Sequence, residues 1–354
     1  MDILRYRLSN QQLLQSKFSK PEEVVSWLGA VQSQDYPAAT WALGLRLPGS
    51  IDKEIDQAFN DGKILRTHVM RPTWHFVAPQ DIRWLLKLTA PRVHAISKYY
   101  FGKLDLDEKI FNKCITILTK ILKNHNYLTR TEIATEFRKA GVQAVALRFA
   151  YIIIYAELEG IICSGPRKGK QFTYALLEER APKAKVLDKD EALAELATRY
   201  FTSHGPATMK DFAWWSGLTV AEAKRGIELS KDKLVHEKID DKSFWLSPDA
   251  KPAKEIEKTG YLLPNYDEYT IAYKDRSAFL DDSSAKGIDS RGNIIFNHSI
   301  IIGGKIVGGW RRTLHRNSVM LSWKAFKPLS FEEKRIVKKA AERYGEFLGM
   351  PVSL

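Results

Sequence analysis

The chain has 354 residues, 44% hydrophobic and 27% charged, enough for two or three domains or several small modules and unlike the composition of a disordered tail. No stretch approaches the ~20 apolar residues of a membrane span, and the opening MDILRYRLSNQQLLQ lacks a basic leader with an apolar run behind it, so a cytoplasmic protein with no membrane anchor is expected. Lys and Arg number 55 against 42 Asp and Glu, giving a net charge of +13, which favours a polyanionic partner such as nucleic acid or an anionic membrane surface.

Three successive segments follow one plan: a helical run, a turn, a second helical run, then two short strands around a polar tip. In the first, KPEEVVSWLGAVQSQ reads as helix, IDKEIDQAFNDG as a second helix, and KILRTHVM with TWHFV as a hairpin turning at Arg71 and Pro72. The second opens at YLTRTEIATEFRKAG, where Thr129 and Glu132 have capping-box spacing, Ile133, Phe137 and Ala140 share a face, and Gly141 stops the helix. VQAVALRFAYIIIYAELEG follows, apolar along Leu147, Ile154 and Leu158 with Gln143 and Arg148 left outside, and is the candidate recognition helix. IICSGPRKGKQFTYALL then gives two strands around a tip carrying Arg167, Lys168 and Lys170, placed to reach a phosphate. The third runs through ALAELATRYFTSHGPATMKDFAWWSGL, a turn at Thr219, the helix AEAKRGIELSKD, and the pair KLVHEKI and SFWLS around Asp240 and Asp241.

After a Lys-rich connector the chain alternates apolar and polar positions through YLLPNYDEYTIAYKDR, NIIFNHSIIIGGKIVGGW and SVMLSWKAF, the pattern of a small antiparallel sheet or barrel. A closing amphipathic helix starts at Ser330, with Glu333 in capping-box spacing and Ile336, Ala340 and Phe347 on its buried stripe. Cys114 and Cys163 stand alone in apolar settings, without the paired spacing of a zinc site or redox dithiol, and read as buried structural thiols. No metal or cofactor is expected. The fold class is therefore α+β: winged-helix units over residues 1–105, 106–185 and 186–250, then a small C-terminal antiparallel β-barrel with a terminal helix over 251–354.

Tandem winged helices with excess positive charge point to duplex DNA, phosphates supplying most of the affinity. A non-catalytic transcriptional regulator or architectural protein is the usual use of such modules. The second helix of the middle unit is poor in base-reading side chains, and no effector site is apparent.

Several runs, in order along nearly the whole chain, resemble the AlkZ-like and YcaQ-like winged-helix DNA glycosylases: GAVQSQDYPAATWALGLRL, RTHVMRPTWHFV, EGIICSGPRKGKQFTYALL, RYFTSHGPATMKDFAWWSGL, LLPNYDEYTIAYKDR and GGKIVGGWRR. The resemblance implies three winged-helix units and a β-barrel around a DNA cleft, and hydrolysis of the N-glycosidic bond of N7-alkylated purines, in some members within interstrand crosslinks. It also implies a catalytic motif of two glutamines around one residue, matched by Gln32 and Gln34; a second branch ends the motif in Asp. The middle position, usually aliphatic or aromatic, is Ser33 here, and Asp35 follows directly, a candidate for the carboxylate's role in the second branch.

Two neutral amides suit that chemistry, because alkylation at N7 makes the base a cationic leaving group that needs no strong acid. An amide carbonyl can orient water and face the developing sugar cation. No lysine adjoins the motif, so a monofunctional hydrolase leaving an abasic site is expected rather than a Schiff-base lyase. Residues two apart on a helix project about 200° apart, whereas an extended backbone puts both amides on one side; Pro37 biases Tyr36 away from helix and favours a helix end near Gln32. Read without the resemblance, Gln32 better suits a helix cap and Gln34 a solvated position.

The hairpin adds His68, Arg71 and His75 as DNA-facing candidates, although a lone histidine in such a strand is more often a structural residue. Trp74, Trp214 and Trp215 read as core rather than stacking groups, and Arg311 and Arg312 are further phosphate candidates ranked below the Arg167 tip. Modular units wrapping one alkylated or crosslinked duplex need no second subunit, so a monomer is expected.

Overall fold

The computed structural model describes residues 1–14, 16–280 and 298–354. The first repeat follows a short helix α1 (Ile3–Asn10) and comprises α2 (Pro21–Leu28), β1 (Val31–Gln32), α3 (Tyr36–Gly44), α4 (Asp52–Asn60), β2 (Leu65–Val69) and β3 (Thr73–Val77). Helix α5 (Ile82–Lys103) leads into the second: α6 (Glu108–Ile121), β4 (Leu128–Thr129), α7 (Arg130–Lys139), α8 (Ala146–Leu158), β5 (Ile162–Lys168) and β6 (Gln171–Leu176). After the short α9 (Leu177–Arg180), the third has α10 (Lys189–His204), α11 (Met209–Ser216), α12 (Val220–Leu229), β7 (Val235–Ile239) and β8 (Lys242–Leu246). Each repeat is helix, strand, helix, helix, hairpin. The first strand pairs with the last in the orders β1-β3-β2 and β4-β6-β5, and a single Ala207–Trp245 bridge stands in for it in the third.

The C-terminal part contains β9 (Gly260–Leu263), α13 (Glu268–Ile271), β10 (Ser299–Ile302), β11 (Lys305–Leu314), β12 (Val319–Ala325), α14 (Phe331–Leu348) and β13 (Val352–Ser353). Its five strands run β13-β12-β11-β10-β9, antiparallel except for the β12–β13 edge. Among the described residues the expected barrel is a half-barrel: the five-stranded sheet curls but does not close, because β9 and β13 are not neighbours, and α14 lies against it. The start of the run NIIFNHSIII, residues 293–297, lies outside the described residues.

Sequence cues account for most of these boundaries. Capping boxes form at Thr129 with Glu132 and at Ser330 with Glu333, and further ones at Thr208 with Asp211 and Thr219 with Glu222. Three elements differ from expectation. The helix expected through Gln34 stops at Leu28, because Gly29 takes φ 81°, a left-handed conformation that glycine adopts freely. The run YPAATWALG is a helix, α3, that periodicity hides: every one of its residues except Pro37 is buried, so it has no polar face to mark a period. In α8 the buried face is Phe149, Ile152, Ile153, Ala156 and Leu158; of the expected stripe Leu158 is buried, Ile154 half-buried and Leu147 exposed.

The second repeat has its own core around Phe111, Leu118, Phe137 and Ile152, whereas the first and third repeats share one core with the C-terminal sheet. Cys114 lies in the second-repeat core and Cys163 in the shared one; burial pushes their thiols up to about 11 and about 12, in keeping with inert structural cysteines. Within the shared core the first and third repeats meet at the β2–β3 turn. Gly217, at φ 72°, ends α11 there, and a Cβ on it would sit 2.8 Å from the Met70 carbonyl oxygen. No helix among the described residues is long and apolar enough to cross a membrane.

One fully buried ion pair locks the C-terminal segment onto the first repeat. Arg46 donates to both oxygens of Asp267 at 2.9 Å and spends its remaining N–H groups on the Gln11 carbonyl, the Gln11 side chain and the Ala42 carbonyl. Burial opposes the guanidinium charge, but Asp267 outweighs it and holds the Arg46 pKa above its ordinary value. Asp267→Asn leaves that cation uncompensated in the core, and a loss of about 3–5 kcal/mol of unfolding free energy is expected in a urea titration; a loss below about 1 kcal/mol would show that the pair does not hold the segment.

Candidate functional site

Between the end of α2 and the start of α3 the backbone is extended. Val31 and Gln32 pair with Phe76 and His75 of β3, and the Ser33 N–H continues the ladder to the Trp74 carbonyl at 2.8 Å. Asp35 then caps α3, accepting from the Ala38 N–H at 3.2 Å. Alternation puts Gln32 and Gln34 on one side and Ser33 on the other. The two amide oxygens indeed reach the same hairpin: Arg71 Nη2 donates to Gln32 Oε1 at 3.1 Å and the Trp74 N–H to Gln34 Oε1 at 3.3 Å. Gln32 is buried and Gln34 exposed. Ser33 is fully buried, and its carbonyl receives Arg66 Nε and Nη2, both at 3.1 Å.

Behind Gln32 stands a carboxylate that sequence reasoning missed. Glu268, fully buried at the start of α13, accepts the Gln32 N–H at 3.0 Å and Trp215 Nε1–H at 2.8 Å, with His204 Nε2 at 3.5 Å. Burial pushes its pKa up, but His204 and the Gln32 N–H outweigh that and leave it below the ordinary carboxylate value. Burial lowers the His204 pKa, against the opposing pull of Glu268. The signal was present in YLLPNYDEYTIAY, where two adjacent acids interrupt an apolar run; such acids are buried only with partners.

His75 sits opposite Gln32 in the ladder, 1% exposed. Its Nδ1–H donates to the Thr73 carbonyl at 2.9 Å, leaving Nε2 as the bare acceptor, buried and without a partner. Burial, helped by the charge of Arg71, pushes its pKa down to about 4. Across the motif, Asp35 also accepts from Asn265 Nδ2 at 3.2 Å. His298 packs edge-on against Trp310 with ring centres 4.8 Å apart, and burial and Arg312 lower its pKa to about 4. Both imidazoles are therefore neutral at physiological pH, so neither adds charge beside the amides.

The other expected site residues divide. His68 is buried against the Glu157 carboxylate, with its ring 4.3 Å from Trp74, and joins the first repeat to the second rather than facing solvent. Arg148 donates to the Leu104 carbonyl at 2.5 Å, tying α8 to the end of α5. Arg167 is not on an exposed tip: it grips both oxygens of Asp56 at 2.9 and 3.1 Å and lies 4.9 Å from the Tyr36 ring centre. The register shift between Gly165 and Lys168 accompanies this turn toward the first repeat. Lys168 and Lys170 are exposed, Lys168 lying 3.4 Å from Glu132. Arg311 is exposed, while Arg312 donates to the Tyr344 hydroxyl. Trp215 is core, as expected, but Trp214 is 38% exposed, contrary to expectation.

The family profile described as "DNA glycosylase AlkZ-like" matches residues 25–347. The chain is 22% identical over 321 residues to the "Interstrand DNA cross-link repair glycosylase" of Streptomyces sahachiroi, spanning 87% of this chain and 86% of that protein. The solved structure of Streptomyces sahachiroi DNA glycosylase AlkZ superposes with a TM-score of 0.81 at 19% identity, covering 99% of this chain and 98% of that one.

The neutral His75 makes stability depend on pH. Its folded pKa of about 4 lies below the ~6.5 of an unfolded histidine, so between those values the unfolded chain binds more protons. The stabilisation is complete above pH ~6.5 and is lost as pH falls toward 4, about 3 kcal/mol from this residue. The urea midpoint should fall between pH 7 and 4.5 and fall less in His75→Asn. An equal fall in both proteins would exclude His75 as a source.

Proposed function

Because the chain belongs to the AlkZ-like DNA glycosylase family, we propose that it hydrolyses the N-glycosidic bond of N7-alkylated purines in duplex DNA, leaving an abasic site. The three repeats, the first two with a first-third-second strand order, are read as winged-helix units over residues 1–105, 106–185 and 186–250 that carry the duplex. The excess of 13 positive charges supplies the attraction to phosphate, with Arg71, Lys168, Lys170 and Arg311 as the contacts best supported by position.

The observation that carries the reading is the shared orientation of Gln32 and Gln34 toward one hairpin. In the reaction the cationic base leaves with the bonding electron pair and becomes neutral, while the charge passes to the sugar. Water adds to C1′ and loses a proton to solvent. Gln34, exposed, presents its carbonyl oxygen to that water. Gln32, held by Arg71 on its side chain and Glu268 on its backbone, is fixed where the sugar charge develops. Neither amide titrates, and neutral His75 and His298 are not acids at physiological pH, which matches a leaving group that needs no protonation.

Interstrand crosslinks belong to the proposed substrate range. A crosslinked base stays tethered to the opposite strand and cannot enter a deep pocket, and Gln34 lies at the surface. One chain carrying three DNA-binding units needs no second copy, so the working form is a monomer.

Gln34→Ala should lower release of N7-methylguanine from methylated duplex on the order of 100-fold or more, with DNA binding unchanged. Wild-type release from the folded Gln34→Ala protein, or no release at all by the native chain, refutes the assignment.

A further inference from the structure

Several arginines that this fold buries in full or in part have a carboxylate in hydrogen-bond contact: Arg46 has Asp267, Arg167 has Asp56 and Arg199 has Asp81. Arg71 and Arg276 differ. Arg71 donates to the Gln32 amide and Arg276 to the Thr270 carbonyl at 3.3 Å, and among the described residues neither has an ion pair. The nearest acids are already committed. Glu268 is spent on Gln32 and Trp215, while Asp211 accepts from Thr208, Lys274 and Asp275. Both guanidiniums lie 5.8 Å from the centre of the Trp214 ring, hence no more than twice that distance apart. Burial lowers both pKa values, and the charge of Arg276 further disfavours that of Arg71. Two partly desolvated like charges beside an exposed ring make a place where an anion is favoured.

Trp214 is built to be a fixed surface. Its Nε1–H donates to the Ile271 carbonyl at 3.0 Å, so the indole orientation is set and the exposed part of the ring is apolar. Gly217 brings the end of this helix against the Met70 carbonyl beside Arg71, which leads directly to Gln32.

We infer that Arg71, Arg276 and Trp214 form a subsite for one phosphodiester of the damaged strand, the guanidiniums taking the phosphate and the indole the adjoining sugar or base. This rests on the glycosylase reading for the direction of the strand, but the subsite binds DNA whether or not a base is cut. Through Arg71 it fixes the strand relative to Gln32, and so sets the register of the lesion against the two amides.

The test uses the full chain and an unreactive duplex carrying a tetrahydrofuran abasic-site analogue. Arg276→Gln should weaken binding about tenfold at 0.1 M salt and reduce the slope of log K against log salt by about 0.9, the value of one phosphate contact. Trp214→Leu should weaken binding and leave the slope unchanged. Replacing single phosphates by neutral methylphosphonates should find one linkage near the analogue whose loss costs wild type the same slope and costs Arg276→Gln, where Arg71 alone still holds it, less than wild type. That scan on the unmutated protein stands even if a variant misfolds. A folded Arg276→Gln with wild-type affinity and slope, or a scan with no such linkage, overturns the subsite. Binding as expected without any base release leaves the subsite intact and instead sinks the glycosylase reading.

Discussion

Arg46 and Asp267 face each other through two parallel N–H···O bonds with no access to water, and the remaining guanidinium protons are all spent on the first repeat and the N-terminal segment. Such a pair is expensive to desolvate and tolerates little misplacement, so its value lies in position more than in net stability. The residue after Asp267 is Glu268. Fixing one fixes the other, and Glu268 delivers a buried negative charge to the backbone of Gln32. The candidate chemistry thus depends on a contact between segments more than 200 residues apart in sequence.

The same logic changes the meaning of the net charge. Several arginines counted toward it are internal mortar. Arg7 lies 3.5 Å from the Tyr273 ring centre and bonds the Pro206 carbonyl; Arg66 holds the Ser33 carbonyl between Trp74 and Phe172; Arg180 ties to the Phe59 and Asn60 carbonyls. Guanidinium suits this work because its planar donors serve several carbonyls while its face packs on aromatics. The attraction to a polyanion therefore rests on the exposed lysines and a minority of the arginines.

Much of the architecture was legible because it is local. Capping boxes, hairpin turns and amphipathic stripes marked the repeats, whereas Pro37 misled: Tyr36 opens helix α3 with Pro37 in its first turn, and the extended backbone at Gln32 comes from the stop at Gly29 and the pairing with β3. What escaped was non-local or unpatterned. Helix α3 is buried on nearly all sides and shows no period; Arg167 turns inward because Asp56 waits on another repeat; strand order, not alternation, decides whether a sheet closes. Glu268 acquires its meaning only when Gln32, Trp215 and His204 converge on it.

Gly217 touches the β2–β3 turn backbone to backbone, with no side chain to absorb a misfit. The alignment of the amides is consequently inherited from how two modules seat against each other. A chimera that borrowed its third module from a distant homologue would retain every polar group of the first and still present the glutamines askew.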